Sequence, residues 1–190
     1  MSQARPPLEN ATRFIAFLQQ RYRGDRGALA NLRAALSETR RYRAWPLLGG
    51  FHGAIGNPAF ETVAALWAAD ADSHASDSAD LGDALRKLSG EHNSFDGRFR
   101  RLLTCDRDEI AERVAPVVRA AQAKGVPVNY ARLLSDLLCW SDDAKLRWAK
   151  SFWGAPEDEA ALAAGLLDSD GAAPTCESAP QGAVAAEVAS

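Results

Sequence analysis

A chain of 190 residues that is 47% hydrophobic has enough material for one sizeable core or two small ones, so it reads as a globular protein. No window approaches twenty apolar residues, and the opening MSQARPPLEN lacks the apolar run of a signal peptide; a soluble, cytoplasmic protein without a membrane partner is therefore expected. The net charge of −3 hides a segregation: residues 1–60 hold nine Lys or Arg against three acids, 61–96 two against eight, 97–153 eleven against seven and 154–190 none against seven, so a mildly acidic total does not exclude a polyanionic partner.

In chain order, Pro6 and Pro7 precede Phe14, Ile15, Phe17, Leu18 and Tyr22, the stripe of an amphipathic helix that Gly24 stops. Asp25 then caps a second helix that buries Leu29, Leu32 and Leu36, and the two are expected to pack as a hairpin. If that helix runs to Arg43, then Arg26, Arg33 and Arg40 recur every seven residues, two turns or roughly 10 Å apart along one face. Ala30 and Ser37 lie between them. Guanidinium forks separated by small side chains suit phosphate oxygens, so this stretch, with Arg41 and Arg43, is a candidate nucleic-acid track; the alternative is a solvated or ion-paired basic face.

The loop GGFHGAIG lacks the GK[ST] ending of a phosphate loop. Asn57 and Pro58 read as N-cap and N1 of a helix with Val63, Leu66 and Trp67 inward. An aspartate-rich run over 68–83 reads as a surface loop, and a short helix follows around Asp80 to Leu88. A helix from Ser94 places Phe95, Phe99, Leu102 and Leu103 on one side and Arg98 and Arg101 on the other. Asp106 and Glu109 suggest a capping box for a helix that Pro116 should kink or divide and Gly125 should end. Asn129 caps a helix carrying Tyr130, Leu133, Leu134, Leu137 and Leu138; Ser141 caps the last, with Leu146, Trp148, Ala149 and Phe152 as its apolar side. No strand pattern of period two occurs. The expected architecture is all-α, a helical bundle in two subdomains, 8–92 and 93–153, followed by a disordered acidic tail over 155–190 that serves as a solvated extension or as an intramolecular competitor for the basic track.

Catalysis finds no support in the sequence. His52, His74 and His92 have no partner at metal-ligand or nucleophile–base spacing, and Asp142 with Asp143 sits where acids favour a helix N-terminus. The three cysteines fit no metal spacing, and reduced thiols are expected. No catalytic residue, metal or cofactor is expected. Trp67, Trp140 and Trp148 occupy apolar helical positions that read as core, while Trp45 and Trp153 lie near element ends.

The runs FDGRFRRLLTCDRDEIAERV, GVPVNYARLLSDLLCW and LRWAKSFW, preceded by RGDRGALANLRAAL and GNPAFETVAALWA, together resemble the CasB family, the small subunit of the type I-E Cascade CRISPR surveillance complex, over about residues 10–153. The resemblance implies a non-enzymatic helical subunit, present in two copies among other Cascade subunits, that helps hold the hybrid of guide RNA and target DNA and the displaced DNA strand. By the same resemblance Arg33, Arg98, Arg101 and Arg107 match positions where the family tends to be basic, and Arg26, Arg132 and Lys145 match less closely. Gly97 and Ala59 replace residues that are often basic, which shifts the expected track toward Arg40, Arg41 and Arg43. A head-to-tail contact between copies is expected to join the region of Trp45 and Phe51 to that of Trp148 and Trp153. A different class of function, a helical protein–protein adaptor whose basic face meets an acidic partner, remains open from the residues alone.

Overall fold

The computed structural model describes residues 7–71, 80–89 and 94–154, and every regular element among them is helical. Helix α1 (Pro7–Tyr22) begins on a proline, which the first turn tolerates because its missing N–H would have no intrahelical acceptor, and it buries Ala11, Phe14 and Leu18. Gly24, at φ +83°, takes the left-handed conformation that closes this turn. Asp25 caps α2 (Arg26–Arg33) by accepting the Ala28 N–H at 3.0 Å.

Helix α2 lasts eight residues and does not reach Arg43. The chain passes through two 3-10 turns, Ala34–Leu36 and Arg41–Arg43, with Ser37 extended between them. The break has a local cause. The Ser37 carbonyl accepts from the amides of both Arg40 and Arg41, and its hydroxyl lies 3.3 Å from that of Thr39, so serine and threonine chemistry favours a turn over continued helix. Leu36, expected inside, is 37% exposed, whereas Leu29 and Leu32 are buried. The expected hairpin of the first two helices is also replaced: α2 lies on α4 (Pro58–Ala69), and α1 lies along α8 (Tyr130–Leu138).

The one-turn helix α3 (Trp45–Leu48) is tied to α1 by the Tyr22 hydroxyl, which donates to the Leu47 carbonyl at 2.7 Å. Asn57 caps α4 through the Ala59 N–H at 3.0 Å, with Pro58 in the first turn, and every residue from Ala59 to Ala68 is buried. This helix is the centre of the fold, contacting α2, α7 (Arg107–Ala123) and α8. Helix α5 (Leu81–Ser89) packs along α9 (Asp142–Trp153), and α6 (Ser94–Leu103) turns Phe95, Phe99 and Leu102 inward.

Pro116 lies inside α7 without dividing it, on the exposed face where the carbonyl it orphans is open to water. Asp106 makes no side-chain cap bond, so the expected capping box with Glu109 is absent. Asn129 and Ser141 cap α8 and α9 as expected, accepting from Arg132 N–H at 3.0 Å and Ala144 N–H at 3.5 Å. Leu146, assigned to the apolar side of α9, is instead 54% exposed.

One buried cluster runs from Ala11 to Phe152 and joins elements on both sides of the expected 92/93 boundary. Cys105 is a buried free thiol; Cys139 is disulfide-bonded, contrary to the expectation of reduced thiols throughout. The tail over 155–190, the middle of the aspartate-rich loop, His74 and His92 lie outside the described residues. No described helix is long and apolar enough to cross a membrane.

Candidate nucleic-acid interface

Where α6 meets the first half of α7, burial of Phe95, Phe99 and Leu102 on one side of α6 leaves Arg98 and Arg101 on the other, and burial of Ile110, Val114 and Val118 on α7 leaves Glu109, Arg113 and Pro116 outward. These outward residues, with Thr104 and Cys105 of the connecting loop, line an open cleft of about 440 Å³ whose floor includes Leu102 and Val117. Three guanidinium groups face a single carboxylate, that of Glu109. Burial, with the nearby Glu109 charge adding to it, pushes the Cys105 thiol up, so it stays neutral and adds no negative charge. Arg98 stands over the Phe95 ring, with its guanidinium carbon 5.3 Å from the ring centroid, which limits its swing. Such a cleft can take anionic oxygens at its rim and apolar atoms at its floor.

A second cleft, of about 450 Å³, carries Arg41 and Arg119 together with Glu38, Glu61 and Glu112, so its sign is mixed; it adjoins the first at Pro116, which lines both. Arg113 and Arg119 were absent from the sequence-based site. Positions 109, 112, 113, 116 and 119 form the complement of the apolar stripe of α7, and following that complement would have identified both.

The ten basic residues expected in the site divide into two groups. Arg26, Arg40, Arg41, Arg43, Arg98 and Arg101 are exposed, with no carboxylate in ion-pair reach among the described residues; Arg40 donates only to the Ser37 hydroxyl, at 3.4 Å. The other four are engaged within the fold. Arg33 donates through Nε to the Ala68 carbonyl at the end of α4, at 2.9 Å, and Arg107 donates to the Leu138 carbonyl at the end of α8, at 2.6 Å. Arg132 lies 3.4 Å from Asp136 across one turn of α8. Lys145 stands 5.8 Å from the Trp140 ring centroid and 3.9 Å from Asp142. Because α2 ends at Arg33, the straight stripe Arg26–Arg33–Arg40 does not form.

The four aromatics expected at an interface also divide. Trp148 is fully buried and donates through Nε1 to Asp136 at 2.7 Å, so it is core and not surface. Phe51 is half-buried among Phe14, Phe17 and Phe60, with centroids 5.0 to 5.8 Å away, and presents little free ring. Trp45 and Trp153 are 36% and 43% exposed. Each is held by a carboxylate: Trp45 Nε1 donates to Glu61 at 2.8 Å, and Trp153 Nε1 donates to Asp96 at 2.7 Å beneath the Arg100 guanidinium, 5.0 Å from its ring centroid. Hydrogen bonds from Arg100 and then Trp153 hold the Asp96 carboxyl below its usual range. No group of three potential metal ligands occurs among the described residues.

The family model for CRISPR-associated protein Cse2 matches residues 28–153. The chain belongs to the Cse2 family. A curated Cse2 protein of Thermus thermophilus is 35% identical over 82 residues, 42% of this chain and 47% of the relative, so the chain spans about half the length of the curated relative it matches. The solved structure of a Cse2-family protein from Thermus thermophilus is 31% identical, covers 76% of this chain and 98% of its own, and superposes with a TM-score of 0.62. CasB of M. ruber, 23% identical over 80% of this chain and 97% of its own, and a chain of a CRISPR RNA-guided surveillance complex, 19% identical over 77% and 92%, share the fold, both with a TM-score of 0.64. The Cse2 match includes both clefts and stops at Trp153.

Proposed function

We propose that this Cse2-family chain is a non-catalytic subunit of a Cascade-type CRISPR surveillance complex, in which it holds the guide RNA–target DNA hybrid and the displaced strand by their phosphates. The observation that carries this reading is the cleft in which Arg98, Arg101 and Arg113 face one carboxylate. Guanidinium groups on a concave surface neutralise backbone charge without reading bases, which suits a subunit whose complex leaves sequence discrimination to base pairing. Arg26, Arg40, Arg41 and Arg43 extend the basic surface. Arg33, Arg107, Arg132 and Lys145 support it from within, since each already has a partner in the fold.

A second copy and other Cascade subunits supply the remaining length of the site. Trp45 and Trp153 are the exposed aromatics through which copies meet head to tail, each held in place by its carboxylate.

The test is the salt dependence of binding to a single DNA strand. Replacing Arg98, Arg101 and Arg113 by alanine should weaken binding and flatten the slope of log K against log salt by about 2, at about 0.7 for each phosphate no longer neutralised. Equal slopes for parent and variant would favour the adaptor reading, in which the basic face meets an acidic protein. Cleavage of the strand in Mg²⁺ or Mn²⁺ would overturn the non-catalytic assignment.

A further inference from the structure

Of the three tyrosines, two are fastened through their hydroxyls: Tyr22 donates to the Leu47 carbonyl at 2.7 Å and Tyr130 to Asp70 at 2.8 Å. The third is not. The Tyr42 side chain makes no hydrogen bond or ring contact among the described residues and is 55% exposed. Its neighbours Arg41 and Arg43 are exposed as well, with no carboxylate in ion-pair reach among the described residues. We propose that Tyr42 is a platform on which one base of an unpaired strand stacks, while Arg41 and Arg43 take the phosphates on either side of that base. This rests on the nucleic-acid reading above and deepens it, since a stacking ring separates the displaced strand from the paired hybrid.

The turn that carries the ring is built to present it. In the 3-10 turn Arg41–Arg43, closed by bonds from Arg43 N–H to the Arg40 carbonyl and from Ala44 N–H to the Arg41 carbonyl, both 3.0 Å, successive side chains point about 120° apart. The two guanidinium groups therefore leave on opposite sides of the ring. Directly after the turn the chain is anchored: Ala44 and Leu48 are fully buried, and the buried Glu61 of α4 accepts from Trp45 Nε1 at 2.8 Å and from Gly56 N–H at 2.9 Å. A ring on such a support gives up little freedom when it binds.

An aromatic face accepts any base, because every base has a π-face, and arginines beside it meet the backbone. A base inside a duplex already has both faces covered and must be unstacked before it can reach a ring. Two unpaired cations beside Tyr42 make a polyanion a better occupant than a second copy of this chain.

The experiment measures binding of three probes by the full chain and by its Tyr42→Ala and Tyr42→Phe variants: a short single DNA strand, a strand of the same length that is abasic throughout, and a duplex. Tyr42→Ala should weaken binding of the base-bearing strand about tenfold, the order expected for one stacked base, and leave the abasic strand and the duplex as the parent binds them. Tyr42→Phe should match the parent on all three, because the ring does the stacking and not the hydroxyl. The melting midpoints should coincide, since the side chain has no partner in the fold. Equal affinity of parent and Tyr42→Ala for the base-bearing strand would overturn the stacking and leave the phosphate contacts in force. Equal losses on all three probes would overturn it too, making Tyr42 a support for the arginines. Loss of self-association in Tyr42→Ala, with strand affinity unchanged, would give the ring to a second copy instead. No binding of any probe by the parent would remove the nucleic-acid reading and the platform with it.

Discussion

Gly82 of α5 and Trp148 of α9 are packed so closely that a Cβ on Gly82 would overlap the Trp148 carbonyl oxygen. The obstruction is backbone, which cannot rotate aside. Gly82→Ala should therefore pry α5 from α9 and cost about 1–3 kcal/mol, the range for overpacked cores. Gly97→Ala provides the contrast, since nothing lies within 4 Å of its would-be Cβ on α6, and it should stabilise by about 0.5–1 kcal/mol through helix propensity. Denaturant melts of the two variants check both signs.

Asp136 is 1% exposed and accepts from Arg147 at 2.9 Å and Trp148 at 2.7 Å, with Arg132 at 3.4 Å. Its removal orphans the buried indole N–H, while the two arginines, 29% and 37% exposed in their side chains, can turn toward water. Asp136→Ala should cost about 1.5–3 kcal/mol, the range for hydrogen bonds to a charged group. A change indistinguishable from zero by chemical denaturation would show that the network contributes nothing.

Arg33 and Arg26 should separate stability from binding. Arg33→Ala removes the donor to the Ala68 carbonyl and should lower stability by about 1 kcal/mol. Arg26→Ala, at an exposed first-turn position, should leave the melting midpoint in place while weakening strand binding at low salt. Paired melts and titrations distinguish a helix-terminating arginine from a phosphate-facing one.

Two aspartates give stability opposite pH dependences. Burial raises the Asp80 carboxyl above 3.8, against the opposing bonds from the Asp83 amide and the Ser151 hydroxyl, so the folded state holds that proton more tightly and stability falls as pH rises from 3.8 through the raised value. Asp80→Asn, which keeps a cap acceptor, should gain on the parent across that window and then run parallel. Asp96 lies below 3.8, so its contribution is present above 3.8 and lost as pH falls through its lowered value. Asp96→Asn should erase that acid-side loss. Stability curves against pH for both variants check the signs.

Trp45→Ala and Trp153→Ala should each abolish two-copy occupancy of a long strand and spare one-copy binding to a short one. Sedimentation on strands of two lengths measures this. Unchanged stoichiometry in both variants would leave these rings as ornaments of the monomer.

The element ends were legible where their chemistry is local. Gly24, Asp25, Asn57 with Pro58, Gly125, Asn129 and Ser141 each act within four residues, and each stands where the sequence placed it. Roles that depend on distant partners were not legible. Arg33 meets a carbonyl 35 residues away and Arg107 one 31 residues away, so both read as surface residues until the helices are stacked. Trp148 read as core from its apolar spacing, but the carboxylate 12 residues away that takes its indole proton did not show. The cleft lay between these cases: Arg98 and Arg101 stood out beside an apolar stripe, while Arg113 joined them only through the packing of α6 on α7.

The pairing of α1 with α8 also sets an order of events during synthesis. The partner of the first helix lies more than a hundred residues downstream, and at about 5–20 residues per second the ribosome needs roughly 5–20 s to deliver it. Throughout that interval Phe14 can meet only its earlier-made neighbours Phe51 and Phe60, and the side of the first helix that lies along α8 has no lasting home. A nascent chain stalled before Tyr130 is therefore a sticky one, and the first helix, earliest made, is among the last to be locked.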